Sequence, residues 1–255
     1  MASSWTSLEV DNNTMDVYLS TPTAGGAAPG VVVIQHAGGV DTFIQTICDR
    51  LAADGDVAAA PNLFHRQKDN ILAEVRDLSP GERLPKLMTK LAQFKDSEVI
   101  RDVDAVVEML GGHEAVAGQS IGITGFCMGG RVAYLMAAKN SNIAAAGVFY
   151  GAMLTGSWGD EGPPPMDLTA DVGCPVIGFF GNDDANPTPA VVAQLDAALT
   201  EHGKEHVFHA YDGTGHAFMD FSNTVTYREN SAADAWPKLV TFFDEKLKAT
   251  APTKG

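Results

Sequence analysis

At 255 residues the chain is far larger than a disulfide-stapled miniprotein and long enough to bury a substantial hydrophobic core. Hydrophobic residues make up 45% and charged residues 19%, the balance of a folded globular protein rather than a disordered or fibrous one. Lys and Arg number 17 against 32 Asp and Glu, a formal net charge of -15. Nucleic acid and anionic membrane surfaces are therefore poor partners, because both demand clustered Lys and Arg.

Cys48, Cys127 and Cys174 form no CxxC pair and suggest neither a disulfide framework nor a zinc site, so no metal is expected and a reducing compartment fits best. The opening MASSWTSLEVDNNTMD lacks a basic segment followed by an apolar one, and no run approaches the roughly 18 apolar residues of a membrane span. A cytoplasmic location is the expectation.

Short apolar runs alternate with amphipathic segments, and Gly, Pro, Asn or Asp marks each junction. Val31 to Gln35 reads as a strand covered on both faces. Asp41 can cap a helix to about Asp54, with Phe43, Ile44, Ile47 and Leu51 on one face and Gly55 as its stop. Val57 to Ala60 is a second strand ended by Pro61, and Asn62 to about Gly81 reads as an irregular excursion. Glu98 to Leu110 regains helical period, with Ser97 or Asp96 available as N-cap. A strand at Ser120 to Thr124, the turn GFCMGG and a helix from Met128 to about Ala138 follow.

Ile143 to Tyr150 is the next strand, and Gly151 to Gly173 a Gly/Pro-rich loop. A strand at Pro175 to Gly181, a helix at about Thr188 to His202, a strand at Glu205 to Tyr211 and a helix at about Ser231 to Leu247 complete the pattern. The tail from about 249 to 255 reads as disordered. One α/β domain, a mostly parallel sheet with helices on both faces, accounts for residues 1–255.

In such sheets, ligands gather where strands end. Gly125-Phe126-Cys127-Met128-Gly129-Gly130, between a strand and a helix, has the form of a nucleophile elbow. There a tight turn lifts the central side chain clear, flanking glycines avoid Cβ clashes, and the helix N-terminus favours a thiolate and a developing oxyanion. The alternative is a small buried Cys beside closely packed glycines. Gly181-Asn182-Asp183-Asp184 offers carboxylates after the next strand but one, although Asp and Asn also suit plain turns. The Gly-flanked His216 follows the last strand, one of seven histidines. The order Cys127, Asp184, His216 is that of α/β-hydrolase triads.

On these residues the sequence resembles the dienelactone hydrolase family of α/β-hydrolases (carboxymethylenebutenolidase-like) over nearly its whole length, through VVVIQHAGGVD, PNLFHR, GFCMGG, FYG, GNDD and GTGHAF. The resemblance implies an α/β-hydrolase fold and a cofactor-free enzyme acting on a small ester or lactone. Cys127, Asp184 and His216 match the triad, which selects Asp184 over Asp183, and the backbone N–H groups of Ala37 and Met128 match the oxyanion hole.

Two positions depart from the family pattern. His36 stands where the best-known relatives carry a Glu that helps keep the thiol neutral; it is expected near Cys127, pairing with a thiolate or contacting substrate. Asp220 stands where relatives that bind a carboxylate carry Arg, so dienelactone itself is not assured. Arg66 and Arg83 are candidate substitutes for that Arg, and Tyr150 and Trp158 candidate pocket walls. The alternatives are a redox-sensing thiol or non-catalytic binding protein on a hydrolase fold, and a promiscuous esterase or phosphotriesterase on the same triad. A monomer or small homo-oligomer is expected.

Overall fold

The computed structural model describes residues 1–67, 78, 80–159 and 162–248, and the side chains of residues 80, 81, 83 and 84 fall outside that description. The expectation for the tail, much of the irregular excursion and the side chain of Arg83 therefore lie outside the described residues. Eight strands form one sheet: β1 (Ala2–Val10), β2 (Asn13–Thr21), β3 (Gly30–Ile34), β4 (Val57–Pro61), β5 (Ile121–Phe126), β6 (Ile143–Phe149), β7 (Val176–Gly181) and β8 (His206–Tyr211). Their order is β1-β2-β4-β3-β5-β6-β7-β8. β2 runs antiparallel to β1 and β4, and the remaining pairs are parallel. The architecture is the α/β-hydrolase fold.

The helices are α1 (Thr42–Asp54), α2 (Pro80–Leu91), α3 (Asp96–Gly111), α4 (Met128–Lys139), α5 (Pro189–Glu201) and α6 (Glu229–Leu247). β3 shows why the sheet is buried on both faces. Val31 and Val33 join a core with α1 and α6, whereas Val32 and Ile34 join one with α3, α4 and α5. An uninterrupted apolar run is what period-two geometry requires when helices cover both sides.

Local rules set most ends. Asp41 caps α1 by accepting from the Ile44 N–H at 3.2 Å, and Gly55 stops it at φ 105°. Thr188 caps α5 through the Val191 N–H at 3.3 Å. α3 differs from expectation: it starts at Asp96, its N-cap is Lys95, and no side chain caps it. The Asp96 carboxylate is occupied by the fully buried Arg131, accepting from Nη1 at 2.5 Å and Nη2 at 2.9 Å, and from the Trp158 N–H at 2.9 Å. A buried guanidinium needs that partner more than a helix end needs a cap.

Candidate active site

The elbow at the end of β5 is as tight as its glycines imply. Cys127 adopts φ 58°, ψ -119°, a conformation that costs a non-glycine residue on the order of 1–3 kcal/mol. A Cβ on Gly125 would lie 2.0 Å from the Gly129 carbonyl oxygen, and one on Gly129 would lie 2.4 Å from that of Ile34. Neither position tolerates a side chain. The turn is pinned by Cys127 N–H to Phe149 O at 3.1 Å and by Ala152 N–H to Cys127 O at 3.1 Å.

Beside it, the loops after β7 and β8 are joined. Asn182 N–H donates to Tyr211 O at 2.9 Å and Asp183 N–H to Thr214 O at 2.9 Å. A Cβ on Gly181 would meet the Thr214 carbonyl oxygen at 2.2 Å, so the loops touch backbone to backbone. This contact sets Asp184, 5% exposed, against His216, with Oδ2 2.8 Å from Nδ1. Its other oxygen accepts from the Asn186 N–H at 2.8 Å. Asp183 faces solvent.

The far side of the His216 ring hydrogen-bonds the Cys127 sulfur. Desolvation works to raise the Cys127 thiol, but that hydrogen bond, the charges of His216 and His36, and the Met128 N–H together bring it below its ordinary range. Desolvation likewise opposes a charged His216, yet Asp184 and the Cys127 sulfur push its pKa up to about 10. Sulfur, imidazole and carboxylate thus stand in sequence, with ionisation of the thiol eased and a charge on the imidazole favoured. Cys48 and Cys174 are buried thiols whose ionisation burial suppresses, Cys174 being pushed up to about 12.

His36 comes close enough to Cys127 for each to shift the other. Its Nε2 lies 2.9 Å from Asp41 Oδ2, and although desolvation opposes its charge, Asp41, Asp220 and Cys127 raise its pKa overall. Asp41 thus caps α1 with one oxygen and holds His36 with the other, a role that the capping pattern did not reveal. The signal was the intervening Ala37-Gly38-Gly39: the chain turns back at Gly39, φ 83°, whose N–H donates to His36 O at 3.0 Å.

Tyr150 lies at the site. Its ring meets the His216 ring at 5.1 Å, and burial holds its phenol far above the usual range. Arg66 is instead taken up by Asp102 and by Asp11 Oδ2 at 2.9 Å, so its guanidinium is spent within the scaffold. Trp158 stacks on Phe94 at 5.2 Å and under the Arg131 guanidinium at 4.0 Å, packed into the core beneath its loop. Loop aromatics serve both ends, and only the buried Arg131 explains this one. Sequence reasoning missed Phe43 and Phe221, whose rings stack edge-on at 5.6 Å beside His36.

Comparison with known proteins places these observations in context. Residues 15–247 match the model of the Dienelactone hydrolase family. A protein of Salmonella typhimurium named "Putative carboxymethylenebutenolidase" is 33% identical over 241 residues, 93% of this chain and 85% of that protein. One of Bradyrhizobium sp. named "Probable 2-oxo-3-(5-oxofuran-2-ylidene)propanoate lactonase" is 30% identical over 243 residues, 95% of this chain and 94% of that protein. The crystal structure of "Putative Dienelactone Hydrolase" from Klebsiella pneumoniae superposes with a TM-score of 0.84 at 30% identity, covering 96% of this chain and 98% of that one.

Proposed function

Because the chain belongs to the dienelactone hydrolase family, a family of hydrolases, we propose that it cleaves small carboxylic esters or lactones with Cys127 as nucleophile, His216 as acid and base, and Asp184 as the group that orients His216. One observation carries this reading: a cysteine at an elbow, hydrogen-bonded to a histidine whose other nitrogen is 2.8 Å from a buried carboxylate.

In the first half-reaction the Cys127 thiolate attacks the carbonyl carbon and the C=O electron pair moves to oxygen. The N–H groups of Ala37 and Met128 receive that oxyanion. As the C=O bond re-forms, the C–O bond to the alcohol breaks, and His216 gives the departing alkoxide its proton. A thioester and a neutral imidazole remain. In the second half a water attacks the thioester as His216 takes its proton. Collapse then releases the carboxylic acid and restores thiolate and imidazolium. Asp184 fixes the tautomer throughout, holding Nδ1–H so that Nε2 faces the sulfur.

The oxidant-sensing alternative gains nothing from Cys48 or Cys174, both buried and held as neutral thiols. The test is hydrolysis of p-nitrophenyl esters, simple lactones and dienelactone by the wild type beside Cys127→Ser and His216→Ala. Losses of about 100-fold or more are expected in both variants. Undiminished turnover in either removes the mechanism.

A further inference from the structure

The surroundings of the Cys127 sulfur are uneven in charge. His216 stands 2.8 Å from Asp184 and His36 2.9 Å from Asp41, each imidazole against its own carboxylate. Asp220 is in no ion pair among the described residues. Asp220 is 7% exposed, and its Oδ1 accepts from the Ser222 N–H at 3.0 Å and the Ser222 hydroxyl at 2.5 Å, both uncharged donors. Its charge acts on His36 and on Tyr150, both of which also interact with Cys127. A group bound at Cys127, beside His36 and Tyr150, therefore comes within reach of that charge, among buried side chains that leave it weakly screened.

The neighbouring residue is of the opposite character. Phe221 is 39% exposed, a large apolar ring left in water. Its inner edge rests on Phe43, which in turn meets the His36 ring at 5.7 Å. An exposed aromatic braced against a buried one, and linked through it to His36 beside the thiol, is a ready surface for an apolar substituent.

Building on the hydrolytic reading above, we propose that the site selects esters and lactones whose substituents are uncharged and apolar, Asp220 turning away carboxylate-bearing substrates while Phe221, braced on Phe43, receives the apolar group. Selectivity here comes from a repulsive element as much as from an attractive one.

The test uses a matched pair of the same length and branching: mono-p-nitrophenyl glutarate, which ends in a carboxylate, and p-nitrophenyl 5-methylhexanoate, which ends in an isopropyl group. Rates are corrected for uncatalysed hydrolysis. The wild type is expected to favour the neutral ester by at least about tenfold in kcat/KM. Hydrophobicity alone favours that ester in any apolar pocket, so the decisive reading is how the ratio moves. Asp220→Asn, which keeps an acceptor for Ser222, is expected to shrink the ratio by about tenfold. Phe221→Ser is expected to raise KM for the neutral ester more than it lowers kcat.

Should Asp220→Asn fail to fold, a salt titration of the wild type serves instead: added salt is expected to improve the glutarate ester relative to its partner. A ratio near one, a preference for glutarate, or a ratio unmoved in both folded Asp220→Asn and high salt overturns the proposal and leaves the hydrolase intact. Turnover of neither ester overturns the hydrolytic reading and this proposal with it.

Discussion

Two of the close His and Asp pairs behave oppositely. In one, Asp184 Oδ2 lies 2.8 Å from His216 Nδ1, leaving the other ring nitrogen to the Cys127 sulfur. In the other, His65 Nε2 lies 3.1 Å from Asp102 Oδ1, but the same nitrogen is 2.7 Å from Arg66 Nη1. A guanidinium can only donate, so that nitrogen is an acceptor already in use. His65 Nδ1 has no hydrogen-bond partner, and the two side chains are 2% and 1% exposed. A His beside an Asp is thus not in itself an acid–base centre. What separates the pairs is a ring nitrogen left free toward a third group, and access to it: the His216 side chain is 33% exposed.

The largest expected effect falls on the first pair. Asp184→Asn keeps the shape of the site but no longer enforces the tautomer that points Nε2 at sulfur. A loss of about 100- to 10,000-fold in kcat is expected, with little change in unfolding midpoint, measured by steady-state kinetics beside urea denaturation. A loss below about threefold would mean that Asp184 does not orient the histidine.

The second pair should answer in the other currency. Asp102→Ala leaves Arg66 with only the more exposed Asp11, and takes the buried carboxylate away from beside His65. Removing one partner of a buried ion pair costs about 3–5 kcal/mol, and the urea midpoint should fall accordingly. Among molecules still folded, kcat for a p-nitrophenyl ester should stay within about twofold of wild type. A stable variant with lost turnover would merge the two regions and break the comparison.

This contrast also marks where the sequence could be read. Chain order and elbow glycines pointed to Cys127, His216 and a carboxylate of Asp183-Asp184, because each follows a strand and strand ends of a parallel sheet converge, and the family resemblance selected Asp184. The strands and helices from β3 onward were legible wherever period and caps agreed, as at Asp41 and Gly55. Three things were not legible. The β1–β2 hairpin lies at the sheet edge, where β1 is largely exposed and lacks an apolar stripe. α2 carries Pro85 inside it, which reads as a breaker. The start of α3 depends on Arg131, far away in sequence, which draws the Asp96 carboxylate inward. Arg66 looked like a substrate ligand for the same reason: its partners Asp11 and Asp102 lie 55 and 36 residues away.

A third prediction follows the pH dependence of the His216 pair. Its pKa is raised from 6.5 to about 10 on folding, so the native state binds that proton more tightly than the unfolded chain does. The resulting stabilisation is present in full below the unfolded value of about 6.5 and is lost as pH rises to about 10. With solvent screening this amounts to about 1–2 kcal/mol, and the unfolding free energy of the wild type should decline over that window more steeply than that of His216→Gln. Parallel curves would mean that the imidazolium is no more stable folded than unfolded.

The smallest expected effect concerns His36, and it sharpens the comparison most because His36 with Asp41 is another such pair. It resembles the first in standing near the sulfur, and the second in having a carboxylate 2.9 Å from its Nε2. Its influence on Cys127 is electrostatic and comes after that of His216. Removing a nearby positive charge disfavours the thiolate, so the alkylation profile of Cys127 with iodoacetamide should move to higher pH in His36→Ala, by about half a unit or less. His216→Ala, which removes a hydrogen bond as well as a charge, should move it further in the same direction. If His36→Ala leaves the profile where it was, the imidazole that replaces the family's Glu has no hold on the nucleophile, and its pairing with Asp41 serves the turn at Gly38-Gly39 alone. If it moves the profile as far as His216→Ala does, the two imidazoles share the thiolate, and assigning the proton to His216 alone would be wrong.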